Sequence, residues 1–252
     1  MRLARIAAVV ASTAATVTVL AAPATADHSW GTYHWARTSN PFTLVVADNV
    51  SADWDAYLDR SISEWSQSSV LDLVETAGTN NPKRCNPTAG RVEVCNAAYG
   101  RNGWLGLASI NITGGTHITA GTTKVNDTYF TMPQYNTLDE RAHVMCQEIG
   151  HDFGLGHTSE DGSSQQTCMD YSTDPNSTSP NAHDYAQLES IYTHLDSTST
   201  VGATSPSKLP RVGEDASTWG KLIHTSKDGR HATYVRNFGG GNAVVTEVTW
   251  AD

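Results

Sequence analysis

The spacing of apolar and polar positions divides the chain into elements. Residues 41–48 form a β-favouring run, after which Ser51 opens a segment where Trp54, Leu58, Ile62 and Trp65 recur at helical spacing. This predicts a strand followed by an amphipathic helix, with both tryptophans in the core. Residues 70–75, 91–96, 104–112 and 118–126 read as further strands, separated by clusters of Gly, Asn and Pro. A second helical rhythm then runs through Leu138, Ala142, Met145, Ile149 and Phe153, opened by a Thr137 and Glu140 capping box. After Pro180, the residues Tyr185, Leu188, Ile191, Tyr192 and Leu195 predict one more amphipathic helix. Residues 197–209 are rich in Ser, Thr and Pro and read as a linker. Residues 219–250 alternate around turns at 227–229 and 239–242, which predicts a three-stranded meander. There is no internal repeat, and the order of elements gives an α+β fold class.

Composition adds a destination. Residues 1–26 read as a secretory signal, with Arg2 and Arg5 ahead of an apolar run and small residues at 24–26, so cleavage is expected before Asp27. A membrane anchor is the weaker alternative, because the run is short and carries several Ser and Thr. Removing the signal takes away two arginines and no acid, which carries the formal net charge from −10 to −12. An acidic secreted protein is expected, with no nucleic-acid partner and no membrane partner after cleavage. The 252 residues, 38% of them hydrophobic, allow one full-size domain with a small appendage. The expected division is a domain over 27–196, the linker, and a β-rich segment over 210–252. That segment is a marginal core alone, so it either packs on the domain or forms a small binding appendage.

The densest chemistry lies at 137–157. On a helix starting near Leu138, Gln147, Glu148 and His151 project from the face roughly opposite the apolar stripe. Gly154 is placed to end the helix in a left-handed conformation, so that His157 can return toward the same point.

Residues 147–157 read Q-E-I-G-H-D-F-G-L-G-H, which resembles the metzincin zinc-peptidase pattern H-E-x-x-H-x-x-G-x-x-H. Cys168-Met169-Asp170-Tyr171 looks like the family's methionine turn. The resemblance is closest to the matrixin branch and covers roughly 30–196. It implies His151 and His157 as zinc ligands, Glu148 as general base, and Gln147 in place of the first histidine ligand. Tyr171 matches a position that in some members ligates the metal or donates to the tetrahedral intermediate; its other reading is a core tyrosine. The implied fold is a twisted mixed β-sheet with two long helices, a zinc-site helix and a C-terminal helix, followed here by a small β tail. The implied substrate is a protein or peptide, added to an edge strand at 104–112 or 118–126, and a monomer is expected. The family often carries structural calcium or a second zinc, but no loop here has a ligand run to assign one.

Gln147 offers only a neutral amide oxygen, a poorer zinc donor than imidazole. His143, one turn earlier, reads as solvent-facing, and Cys146 points about 100° away around the helix. Two functions follow: a secreted zinc-dependent endopeptidase, favoured by Glu148, or a pseudopeptidase that binds in the cleft without cutting. Four cysteines allow three pairings. The favoured set is Cys85 with Cys95 and Cys146 with Cys168, the second tying the active-site helix to the methionine turn. Pro82 to Pro87 superficially resembles the cysteine switch of matrixin propeptides, yet reads as a disulfide-closed loop. Asp152, Asp161 and Asp170 read as surface or turn acids, and His183 and His194 as solvent-facing.

Overall fold

The computed structural model describes residues 28–205 and 208–251, so the expected signal segment lies outside the described residues. In chain order the elements are β1 (His34–Trp35), β2 (Phe42–Asn49), α1 (Ala52–Trp65), β3 (Leu71–Ala77), β4 (Arg91–Ala97), β5 (Trp104–Thr113) and β6 (His117–Asn126). There follow α2 (Asp127–Phe130), α3 (Leu138–His151), α4 (Ala182–Ile191), β7 (Lys221–Thr225), β8 (His231–Gly239) and β9 (Asn242–Trp250). The fold is α+β. No described helix is long and apolar enough to cross a membrane.

One mixed sheet organises the chain in the order β3-β2-β4-β6-β5-β9-β8-β7, with β1 pairing parallel to the start of β6. Strands β2, β3, β4 and β6 run parallel to their neighbours among themselves, while β5 lies antiparallel to β6. The meander of β7, β8 and β9 is antiparallel throughout, and it joins the same sheet because β9 pairs with β5. Of the two strands expected to offer an edge, β6 is therefore interior and the outer edge of β5 is taken by β9.

Helices α1 and α3 cover one face. Trp54, Leu58, Ile62 and Trp65 are buried along α1, in one core with Val144, Met145, Ile149 and Phe153. The indole N–H groups of buried tryptophans need acceptors. Trp65 Nε1 donates to the Cys146 carbonyl at 3.1 Å and Trp54 Nε1 to Asp127 at 2.8 Å. The other face carries a smaller core in which Val244 and Val248 of β9 pack with Trp104, Leu107 and Trp219. The period-2 alternation of β9 thus sends Val244 and Val248 to this core, and Val245, Glu247 and Thr249 toward α3.

The Thr137 hydroxyl accepts from the Glu140 N–H at 3.1 Å and starts α3. Leu138, expected on the core stripe, is instead exposed as the first residue of the helix. Gly154 has φ of +90°, and a Cβ there would stand 2.1 Å from the Tyr33 carbonyl oxygen. Only glycine fits that turn. Helix α4 ends at Ile191, short of the Leu195 expected within it, and Leu195 is exposed. The disulfides are Cys85–Cys95 and Cys146–Cys168.

Candidate metal centre

The α3 face carrying Gln147, Glu148 and His151 looks onto β5 and β9, and all three side chains are buried. Glu148 lies over Gly106 of β5, where an added Cβ would stand 2.4 Å from Oε1. The glycine therefore provides the seat for the carboxyl. Thr249 of β9, the register partner of Gly106, donates its hydroxyl to Glu148 Oε1 at 2.6 Å.

Gln147 has a defined orientation. Its Nε2 donates to the backbone carbonyls of Cys168 and Asp170 at 2.9 and 3.0 Å. Carbonyls only accept, so the nitrogen must face them. Oε1 then faces β9, 3.0 Å from the Thr249 hydroxyl. The amide expected to serve as a ligand is thus braced on the 168–170 turn, with its oxygen turned toward the Thr249 hydroxyl, whose single proton goes to Glu148 at the shorter distance.

His151 and His157 come together as the motif implies, with ring centroids 4.5 Å apart. His151 Nδ1 is 2.8 Å from the Leu155 carbonyl, which makes Nδ1 the protonated nitrogen and leaves a lone pair on Nε2. His157 Nδ1 is 2.9 Å from the Tyr171 hydroxyl. Met169 is buried in the same core as Ile149 and Trp65.

The tail supplies two groups that sequence reasoning missed. His231 of β8 stacks on Tyr171 with centroids 3.7 Å apart, and lies 4.8 Å from the His157 ring. Glu247 of β9 accepts from the Thr233 hydroxyl at 2.6 Å. Ligand atoms of His157, His231 and Glu247 all lie within 4.8 Å of one another. His151 adjoins this group through its ring contact with His157. The register of the hairpin explains the grouping: His231 pairs with Thr249 and Thr233 with Glu247, so these four polar residues share the face toward α3.

Burial governs the electrostatics. It lowers the pKa of His151 to about 4. It also lowers His157 and His231 well below the usual histidine range, with neighbouring basic groups adding to the effect. Burial raises Glu148 well above the carboxylate range and Glu247 to about 8. Without a cation, the group is neutral imidazoles beside protonated carboxyls.

Four buried atoms here lack a hydrogen-bond partner: His151 Nε2, His157 Nε2, Glu148 Oε2 and Glu247 Oε1. An unpartnered buried polar atom costs about 1–3 kcal/mol, so a concentration of them points to a missing partner. Neutral imidazoles with free lone pairs, next to carboxyls that a cation would ionise, form a donor set that suits zinc. His157, His231 and Glu247 could hold it, with His151 alongside through its ring contact with His157.

Three other expectations are corrected. His143 is half-buried, not solvent-facing, with Nδ1 hydrogen-bonded to the Ser177 carbonyl. Asp152 is buried, accepting from Thr122 N at 3.1 Å and Thr123 Oγ1 at 2.9 Å, and so ties the end of α3 to β6. Asp170 is a turn acid, but a buried one, accepting from Gln165 N, Ser172 N and Ser177 Oγ. Asp161 is an exposed turn acid bonded to Ser159 and Ser163. His183 stacks on His28 with centroids 4.7 Å apart.

No known family model matches the chain, and no curated protein matches it in sequence.

Proposed function

We propose that the chain is a secreted zinc-dependent endopeptidase of metzincin type, in which His151, His157 and His231 hold the metal and Glu148 moves the proton. The observation that carries this reading is the pair of buried, unpartnered Nε2 atoms on His151 and His157, whose rings lie 4.5 Å apart, with His151 on the helix that also carries the buried Glu148. A zinc ion there would supply a Lewis acid that lowers the pKa of a bound water to about 7 and polarises a peptide carbonyl. Glu148 is built for proton transfer: Thr249 anchors Oε1, while Oε2 is unpartnered and burial raises the carboxyl's proton affinity. Tyr171 orients the His157 ring through its hydroxyl. The Gln147 amide braces α3 on the methionine turn, a role the Cys146–Cys168 bond shares.

A second reading is a metal-binding module that does not cleave. The specific observation in its favour is β9, which occupies the edge of β5 where an extended peptide would add by strand pairing.

The test is cleavage of a diverse peptide library by the zinc-supplied secreted protein beside Glu148→Ala, with zinc content measured for both. The expected outcome is cleavage that falls about 10²- to 10⁴-fold in the variant while its zinc is retained. Zinc bound without cleavage would select the second reading. A folded protein that binds no zinc at this centre would exclude both.

A further inference from the structure

A second convergence of imidazoles lies at the His117 end of β6, away from the end that pairs with Gly106. It arises from backbone register. Strand β1 pairs with β6 so that His34 stands beside His117. The chain leaving α4 passes the same point and adds His194 and Asp196. The three rings meet edge to face: His34 and His117 have centroids 5.0 Å apart at 84°, and His34 and His194 have centroids 4.7 Å apart at 85°.

The ligand atoms face inward. Nε2 of His34, His117 and His194 lie 3.6, 3.3 and 3.7 Å from Asp196 Oδ1, and the His34 and His194 Nε2 atoms are 3.1 Å apart. Nitrogen and oxygen ligands about 2.0–2.2 Å from a zinc ion, placed at tetrahedral angles, stand roughly 3.3–3.6 Å from one another. These four of the six pairwise distances fall close to that edge length; the ligand atoms of His34, His117 and Asp196 all lie within 4.8 Å of one another, and the more exposed His194 joins them through His34 and Asp196.

The surrounding groups orient these donors as an outer shell of a metal site does. His34 Nδ1 is 2.9 Å from the Thr32 carbonyl, which places the proton on Nδ1 and a lone pair on Nε2. Asp196 Oδ2 accepts from Arg37 Nη1 at 3.0 Å and from the Arg37 backbone N–H at 3.2 Å, so Oδ1 is the oxygen left for the histidines. Arg37 also donates to the His194 carbonyl and stacks over Tyr192, which fixes the 194–196 segment.

We infer that His34, His117, His194 and Asp196 form a second zinc site, a tetrahedral set of three imidazoles and one carboxylate. The site joins β1, the start of β6 and the segment after α4. It takes a borderline divalent ion such as zinc, because imidazole-rich sets disfavour calcium and magnesium. Its role is structural, since four protein ligands close the coordination sphere. The site does not depend on the reading of the α3 centre.

The experiment is elemental analysis of the full secreted protein after dialysis against zinc, compared with His117→Ala, His194→Ala and His157→Ala. His117 and His194 side chains are 33% and 53% exposed, so their replacement leaves the core intact. The expected result is the loss of one zinc equivalent in His117→Ala and in His194→Ala, and the survival of that equivalent in His157→Ala. Cobalt supplied in place of zinc should give the visible absorption of a tetrahedral ion, and His194→Ala should lose that component. Chelator should lower the Tm of the parent more than that of His194→Ala. Zinc content and cobalt spectra identical in the parent and both outer variants would overturn the inference, leaving an ion-paired histidine network around Asp196.

Discussion

The two histidine groups differ first in their surroundings. The inner group, His151, His157 and His231, is enclosed between α3 and the β8–β9 hairpin, with Glu148 and Glu247 buried beside it. The outer group, His34, His117 and His194, gathers round a single carboxylate and remains partly open to solvent. Burial makes the inner imidazoles poor bases and the inner carboxyls reluctant to ionise. In the outer set burial likewise lowers the His34 pKa, against the pull of Asp196. The enclosed set has the perturbed acid–base groups of a reactive site, whereas the open set has the satisfied geometry of a staple.

The largest effect that would break this contrast is expected from His231→Ala. Zinc affinity at the inner centre should fall by at least about 10- to 100-fold, measured by competition with a chromophoric chelator, while the outer equivalent stays bound. An unchanged inner affinity would return the third-ligand role to the Gln147 oxygen.

A smaller effect lies in the pH dependence of the metal-free protein. Glu247, raised to about 8, holds a proton in the folded state that the unfolded chain releases near the ordinary carboxylate pKa of about 4.3. Its contribution to stability is therefore full below about pH 4 and is lost as pH rises through 8. Between about pH 7 and 8 the inner histidines are neutral in the folded state and mostly neutral in the unfolded state, so the carboxyls dominate. Urea unfolding with chelator present should show stability falling across that window, by up to about 1.4 kcal/mol per pH unit for each such group. Glu247→Gln should flatten the slope, and outer-site variants should not. The smallest expected effect is that of Thr249→Val, which removes the donor to Glu148. It should cost on the order of 1 kcal/mol in denaturation and shift any cleavage profile to higher pH, because that hydrogen bond holds the Glu148 pKa down.

What could be read in advance was local. The stripe behind Thr137, the left-handed turn at Gly154 and the β7–β9 meander each follow from spacing within a short window. His231 lies in a polar alternation with nothing nearby to mark it, and it reaches His157 only through two successive strand registers, β9 on β5 and β8 on β9. The absence of a histidine at position 147 was a signal to look for one elsewhere in the chain. His34 and His117 carry no local mark either: they meet through the register of β1 on β6, and a two-residue strand is too short to show a periodicity. Asp152 reads as a surface acid because a helix-terminal carboxylate is usually solvated; here the hydroxyl and N–H groups of β6 replace the water.

The placement of β9 also fixes an order of assembly. Trp250 is the register partner of Trp104, so the strand that covers Glu148 is made long after the strand it joins. Until that late segment has emerged, Glu148 has no Thr249 and His157 has no His231. Contacts so distant in sequence form slowly. A chain still being synthesised therefore carries every residue of the α3 motif without the finished centre, and any peptidase activity that depends on His231 would begin only after the C-terminal hairpin docks.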